Sequence, residues 1–198
     1  MTQRSILTAL AGLVLLATAC GKKAEPATQP TPVTRPAATD NDAEVRRRAD
    51  SVRAAQAAEA ERLRAAAAAA EAARAALVNE IAVTIHFDYD QFVILADDQQ
   101  QLDRKAAIMR ANPALKIRVT GHADERGSDE YNLALGMRRS TAAKNYLVGR
   151  GIDAARIEVA SLGREVPLDP SSNEAAWAKN RRDEFEIIAG GQSLVRPN

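Results

Sequence analysis

Absences bound this chain before any motif is read. Its 198 residues include a single cysteine, Cys20, so no intramolecular disulfide can form. Net charge is nearly absent too. Lysine and arginine total 27 against 26 aspartates and glutamates, a formal +1, which leaves no bulk field to draw the chain to nucleic acid. Between residues 20 and 80 large apolar residues are scarce and alanine takes their place, and proline and glycine are missing from 43–80. Apolar residues return at regular spacing only after residue 80. That leaves about 110 residues, enough for one independent domain.

The N-terminus reads as an export signal over residues 1–19. Arg4 provides a positive start, and the apolar run from Ile6 to Ala19 has the length of a signal core but is short for a bilayer span. Ala17, Thr18 and Ala19 lead into Cys20, which resembles the bacterial lipobox, where cleavage precedes a cysteine that then carries lipid. The leucine usual three places before the cysteine is Ala17 here, and Leu16 lies one place further back. Each buried acyl methylene contributes about 0.8 kcal/mol, so a multiply acylated Cys20 is expected to anchor firmly in a membrane. Gly21, where aspartate would signal retention in the inner membrane, fits the outer membrane, periplasmic face. Residues 20–42 follow as a tether, with Pro26, Pro30, Pro32 and Pro36 keeping the chain extended.

Residues 43–80 are dominated by Ala, Arg and Glu, close to maximal helix propensity. Opposite charges recur at helical spacing, as in Arg46 with Asp50 and Glu71 with Arg74. Such a helix would be roughly 57 Å long. Large apolar residues such as Val45, Val52, Leu63 and Leu77 are sparse along it, and any seam would be mostly alanine. A solvated single helix is favoured over loose self-association.

Residues 81–189 carry the folded domain. Ile81, Val83, Ile85 and Phe87 alternate as a strand with one buried face. Leu95, Leu102, Ala106 and Met109 mark an amphipathic helix ending at Asn112-Pro113. Ile117 and Val119 define a second strand. Ser128 or Asp129 caps a helix expected to bury Leu135, Ala142, Tyr146 and Leu147 and to end at Gly149-Arg150-Gly151. Ile157 and Val159 mark a third strand. Ser171 with Glu174 resembles a capping box for a short helix carrying Trp177, expected in the core. Phe185 and Ile187 form the last strand, and 190–198 is a tail. Alternation in every strand predicts a sheet covered on one face: an α+β, two-layer α/β sandwich of βαβαβαβ order.

The stretch from Thr120 to Leu147 concentrates the chemistry. A polar loop with His122, Asp124, Glu125 and Arg126 precedes a helix with Arg138 and Arg139. An acidic loop facing a basic helix suits a zwitterion: arginine meets a carboxylate with two parallel N–H bonds, and aspartate accepts from an ammonium. Asn132, Leu135 and Arg139 share one helix face, while Arg138 is turned about 100° away. Gly121 and Gly127 allow turns and close approach of a ligand. The bland reading is that Asp124 and Arg139 pair only with each other.

Several motifs carry a resemblance: Phe87-Asp88-Tyr89-Asp90, the run Gly121 to Gly127, Tyr131-Asn132, Leu135-Gly136 with Arg138-Arg139, and Lys179-Asn180-Arg181-Arg182. From Ile85 to Ile188 the chain resembles the OmpA C-terminal-like domain family, and the lipobox and proline tether match the layout of its lipoprotein members. The long alanine-rich helix and the acidic last strand, DEFEII, depart from that pattern. The resemblance implies non-catalytic binding of peptidoglycan through the diaminopimelate of the stem peptide. By motif position it implies Asp124 and Arg139 as the central pair, with Asp90, Tyr89, Asn132 and Leu135 around them. It further implies a link between outer membrane and cell wall, TolB and other Tol proteins as partners, and no cofactor or metal. Arg181 or Arg182 is expected to border the pocket.

A second reading is a wall hydrolase or amidase using His122 with Asp90 or Asp124. No nucleophile stands beside His122 and no third metal ligand is evident, so His122 is expected to shape its loop by hydrogen bonding. A third reading is a coiled-coil scaffold built on 43–80.

Overall fold

The computed structural model describes residues 40–197. The signal, Cys20 and most of the tether lie outside the described residues. The chain divides into two units, residues 1–49 and 50–198. Of the first, residues 40–49 are described. They open helix α1, with Arg48 and Glu44 paired at 2.6 Å one turn apart.

Helix α1 runs over Asp40–Ala82, longer at both ends than the composition of 43–80 predicts. Val52 and Leu63 are 54% and 65% exposed, and burial begins only at Leu77 and Ile81. The expected strand over 81–87 is therefore corrected. Ile81 lies one helical turn beyond Leu77, both side chains enter the core, and helix continues through Ala82. Val83, expected to be buried, is exposed, and strand β1 is only Ile85–His86.

The remaining elements are α2 (Ala96–Ala111), β2 (Lys116–His122), α3 (Asp129–Gly149), β3 (Ile157–Gly163), α4 (Glu174–Asn180) and β4 (Arg182–Ala189). The sheet order is β1-β4-β2-β3. β4 lies between β1 and β2 and is antiparallel to both, while β2 and β3 are parallel. One face carries Ile85, Ile117, Val119 and Phe185, packed with Leu102, Met109, Ala143 and Leu147 from α2 and α3. The other carries charge: Arg118 pairs with Glu158 at 2.9 Å and with Glu186 at 3.5 Å across three strands. This is the two-layer sandwich with a mixed sheet.

Ser128 caps α3 by accepting the Tyr131 N–H at 3.2 Å. The buried alanine of α3 is Ala143, not Ala142, because the face set by Asn132, Leu135 and Arg139 continues at 143 and 147. The cap of α4 is Asn173, whose side chain accepts from Ala176, rather than Ser171. Helix α3 crosses β2 very closely. A Cβ on Gly121 would lie 1.9 Å from the Gly136 carbonyl oxygen, so these two glycines let helix and strand touch. Gly121 thus serves packing beneath the site rather than close approach of a ligand.

Candidate functional site

β2 ends at His122, and the loop to α3 turns through Gly127 at φ 99°. Asp124 in this loop lines the same cleft as Asn132, Leu135 and Arg139 of α3. Asp124 is 4% exposed yet fully engaged. One oxygen accepts the Arg126 backbone N–H at 3.1 Å and its Nε at 3.0 Å; the other accepts Arg126 Nη2 at 2.5 Å and Arg181 Nη1 at 3.3 Å. Burial raises its pKa, but the hydrogen bonds and charge of Arg126, joined by Arg181, outweigh it and hold the carboxyl below the usual range.

Arg139 is fully buried. Its Nε donates to the Gln91 carbonyl at 2.8 Å, Nη1 to His122 at 2.7 Å and Nη2 to Asp88 at 3.1 Å. The guanidinium lies 5.0 Å from the centre of the Phe87 ring. Burial pulls its pKa down to about 10, so it stays charged at neutral pH. A guanidinium has five N–H donors, and three meet carbonyls, leaving two. No direct Asp124–Arg139 pair forms. Each has other fixed partners, so the bland reading of a mutual pair does not describe this site.

Both groups line one open cleft of about 430 Å³. Tyr89, Asp90, Asn132 and Leu135 line it as well, so the six residues singled out in the sequence converge there. Asn132 is buried and donates to the Arg126 carbonyl at 3.0 Å, which fixes the loop. Leu135 supplies an apolar wall. Asp90 sits at φ 57°, a conformation that aspartate tolerates better than most residues, and accepts the Tyr131 hydroxyl. That hydrogen bond, first, raises the Tyr131 pKa.

Other residues join the cleft that the sequence reading gave no role. Arg126 lies between two rings, 3.9 Å from the centre of Tyr89 and 4.1 Å from that of Trp177. Trp177 is therefore not core. It is half-buried at the rim, and its ring nitrogen donates to Glu125 at 2.9 Å. The Asp-x-Arg spacing of Asp124 and Arg126 was the available signal for that pairing.

Of the two arginines expected near the pocket, neither lines the cleft itself, and Arg181 is the one that bonds to a lining residue, Asp124. It donates to the Phe87 carbonyl at 3.0 Å and to Glu174 at 2.8 Å as well as to Asp124. Arg182 pairs with Glu184 instead, as alternation along a strand dictates. Beside Arg139, Asp183 is fully buried and neither oxygen has a hydrogen-bond partner; burial raises its pKa well above the usual range, opposed by the arginine.

His122 differs from expectation. It is 1% exposed, but neither ring nitrogen makes a hydrogen bond, and Glu184 Oε2 lies 3.7 Å from its Nε2. Burial, followed by the charge of Arg182, lowers its pKa. Its ring is bonded to neither Asp90 nor Asp124, so it does not shape the loop through side-chain hydrogen bonds, and no acid–base dyad forms.

The model of the OmpA family matches residues 86–181. The peptidoglycan-associated lipoprotein of Haemophilus influenzae is 46% identical over 99 residues, which cover 50% of this chain and 65% of that protein. The crystal structure of the peptidoglycan-associated lipoprotein from Burkholderia pseudomallei is 36% identical, with a TM-score of 0.52 over 52% of this chain and 88% of that one. The chain belongs to the OmpA family. The corresponding protein of Pasteurella multocida is 44% identical over 99 residues, covering 66% of its length. The chain thus spans just under two thirds of these curated relatives. The family match begins at His86, beyond α1, and holds all six cleft residues named above.

Proposed function

We propose that the cleft binds peptidoglycan through the diaminopimelate of its stem peptide, without catalysis. The observation that carries this reading is a cleft holding one buried cation with two unused N–H groups and one buried carboxylate. Diaminopimelate offers an ammonium and a carboxylate on one carbon, and the two protein charges are opposite in sign to them. Arg139 takes the carboxylate through its remaining N–H groups, and Asp124 takes the ammonium. Tyr89, Asp90, Asn132 and Leu135 shape the walls. The name carried by the relatives, peptidoglycan-associated lipoprotein, supports peptidoglycan as the polymer bound.

In the wider reading, a lipid on Cys20 holds the chain in the outer membrane at its periplasmic face, and the cleft grips the wall. Helix α1 and the proline tether span the distance between them. TolB and other Tol proteins are the expected partners, with TolB competing for the cleft face. The unbonded ring of His122 favours binding over a hydrolase or amidase.

Sedimentation with purified peptidoglycan tests the reading. Asp124→Ala is expected to leave the pellet, since losing one charge of a desolvated pair costs about 2–5 kcal/mol. Undiminished sedimentation refutes the site. Release of soluble muropeptides by the wild type would instead establish catalysis.

A further inference from the structure

The carboxylate assigned to the ligand is already taken. Both oxygens of Asp124 accept from arginine, and Asp124 is 4% exposed. An incoming ammonium therefore cannot reach it unless one donor leaves. We infer that Arg126 is an internal competitor for Asp124, a cation that holds the ammonium's place and is displaced on binding. This deepens the proposed function and rests on it.

The choice between the two donors follows from how each is held. Arg181 is 6% exposed and also donates to a backbone carbonyl, Phe87, and to Glu174. Moving it would leave a buried carbonyl without its donor. Arg126 is different. Its side chain is 29% exposed and no backbone carbonyl accepts from it. Its remaining contacts are the faces of Tyr89 and Trp177, which attract a cation without fixing its direction. Glu174, 66% exposed at the side chain, stands 3.8 Å from Arg126 Nη1 and offers a second carboxylate toward solvent. The guanidinium can turn from Asp124 to Glu174 while staying against the rings. The Arg126 backbone N–H remains on Asp124, so the loop keeps its shape when the side chain moves.

Such a competitor makes the site selective. A ligand with only an ammonium must displace Arg126 with nothing else gained. A ligand whose carboxylate also engages Arg139 gains a second charged contact that offsets the displacement. Arg126 thereby discriminates diaminopimelate from lysine at the same position of a stem peptide.

Calorimetric titration of two muropeptides, one with meso-diaminopimelate and one with lysine, tests this on wild type, Arg126→Ala and Arg126→Lys, with thermal melts confirming that each is folded. For the diaminopimelate peptide, Arg126→Ala is expected to bind roughly tenfold tighter, the scale of one lost charged competitor. Arg126→Lys, which keeps the charge but not the two-point grip, is expected to fall between. The lysine peptide is expected to bind Arg126→Ala but not wild type. If wild type binds the diaminopimelate peptide and Arg126→Ala binds it equally or more weakly, Arg126 is no competitor and the inference falls alone. If wild type binds neither peptide, the inference falls together with the proposed function.

Discussion

Lys105 and Arg139 are both fully buried, and both give three hydrogen bonds to backbone carbonyls. Lys105 reaches from α2 to Glu80, Ile81 and Val83 at 2.7–3.0 Å, where α1 ends without a basic residue in its own last turn. It donates to the carbonyls that the helix end leaves unpaired, and Phe185 presents a ring 4.5 Å beneath it. Arg139 ties Asp88, Gln91 and His122 together over the Phe87 ring. The difference lies in the donors left over. An ammonium has three N–H groups and all are used; a guanidinium has five. One junction is saturated and structural. The other supports the fold and still has donors for a ligand.

The sharpest way to break this comparison is Arg139→Lys. Lysine keeps the charge but has at most three donors, so it cannot satisfy the carbonyls and a carboxylate together. Peptidoglycan sedimentation is expected to fall by about 2–5 kcal/mol in apparent affinity. Urea unfolding is expected to show a loss of about 1–2 kcal/mol as well, because the three carbonyls draw on a shorter, non-planar head. A variant of unchanged stability that fails to bind would mean that the carbonyl contacts do no structural work.

Lys105→Met makes the complementary cut. Unfolding is expected to cost about 3 kcal/mol, from buried helix-end carbonyls left without a donor, while the folded fraction still sediments with peptidoglycan. The wild type carries a pH signature here. Burial pulls the Lys105 pKa from 10.5 to about 7, with Glu80 opposing. Between those values the unfolded chain binds more protons than the folded one, so this residue makes stability rise with pH across that window. Lys105→Met removes that contribution. The stability gap between wild type and variant is thus expected to widen in favour of wild type from pH 7 to pH 10, as read by urea unfolding at each pH.

The same two junctions explain what could be read without coordinates. Strand β2 and the buried face of α3 were legible because their periods are local: Ile117 with Val119, and Asn132, Leu135 and Arg139 at steps of three and four. The convergence of Tyr89 and Asp90 with Asp124 and Arg139 came through motif resemblance, since no local period links them. The end of α1 was misread because Ile81, Val83, Ile85 and Phe87 alternate like a strand, whereas Ile81 also stands four residues after Leu77. What settles that ambiguity is Lys105, 24 residues further along the chain. Arg126 stands in the motif, but its role depends on rings from β1's loop and from α4. Lone pairs and ring faces contributed from distant segments leave no period to count.

Arg126 adds a third case that sharpens the comparison. It has aromatic faces on both sides but no backbone carbonyl accepting from its side chain. If fixed carbonyl acceptors make a cation structural, removing a ring from Arg126 should matter little to stability. Trp177→Ala is expected to cost about 1 kcal/mol in urea unfolding, the scale of a partly exposed cation–π contact plus the bond to Glu125. A tryptophan in the core would cost about 3–5 kcal/mol on the same substitution. A loss in that upper range would make Trp177 a core residue after all and Arg126 a fixed strut between two rings. A loss near 1 kcal/mol leaves Arg126 held by carboxylates and ring faces alone, the one cation of the three that can move without unmaking the fold.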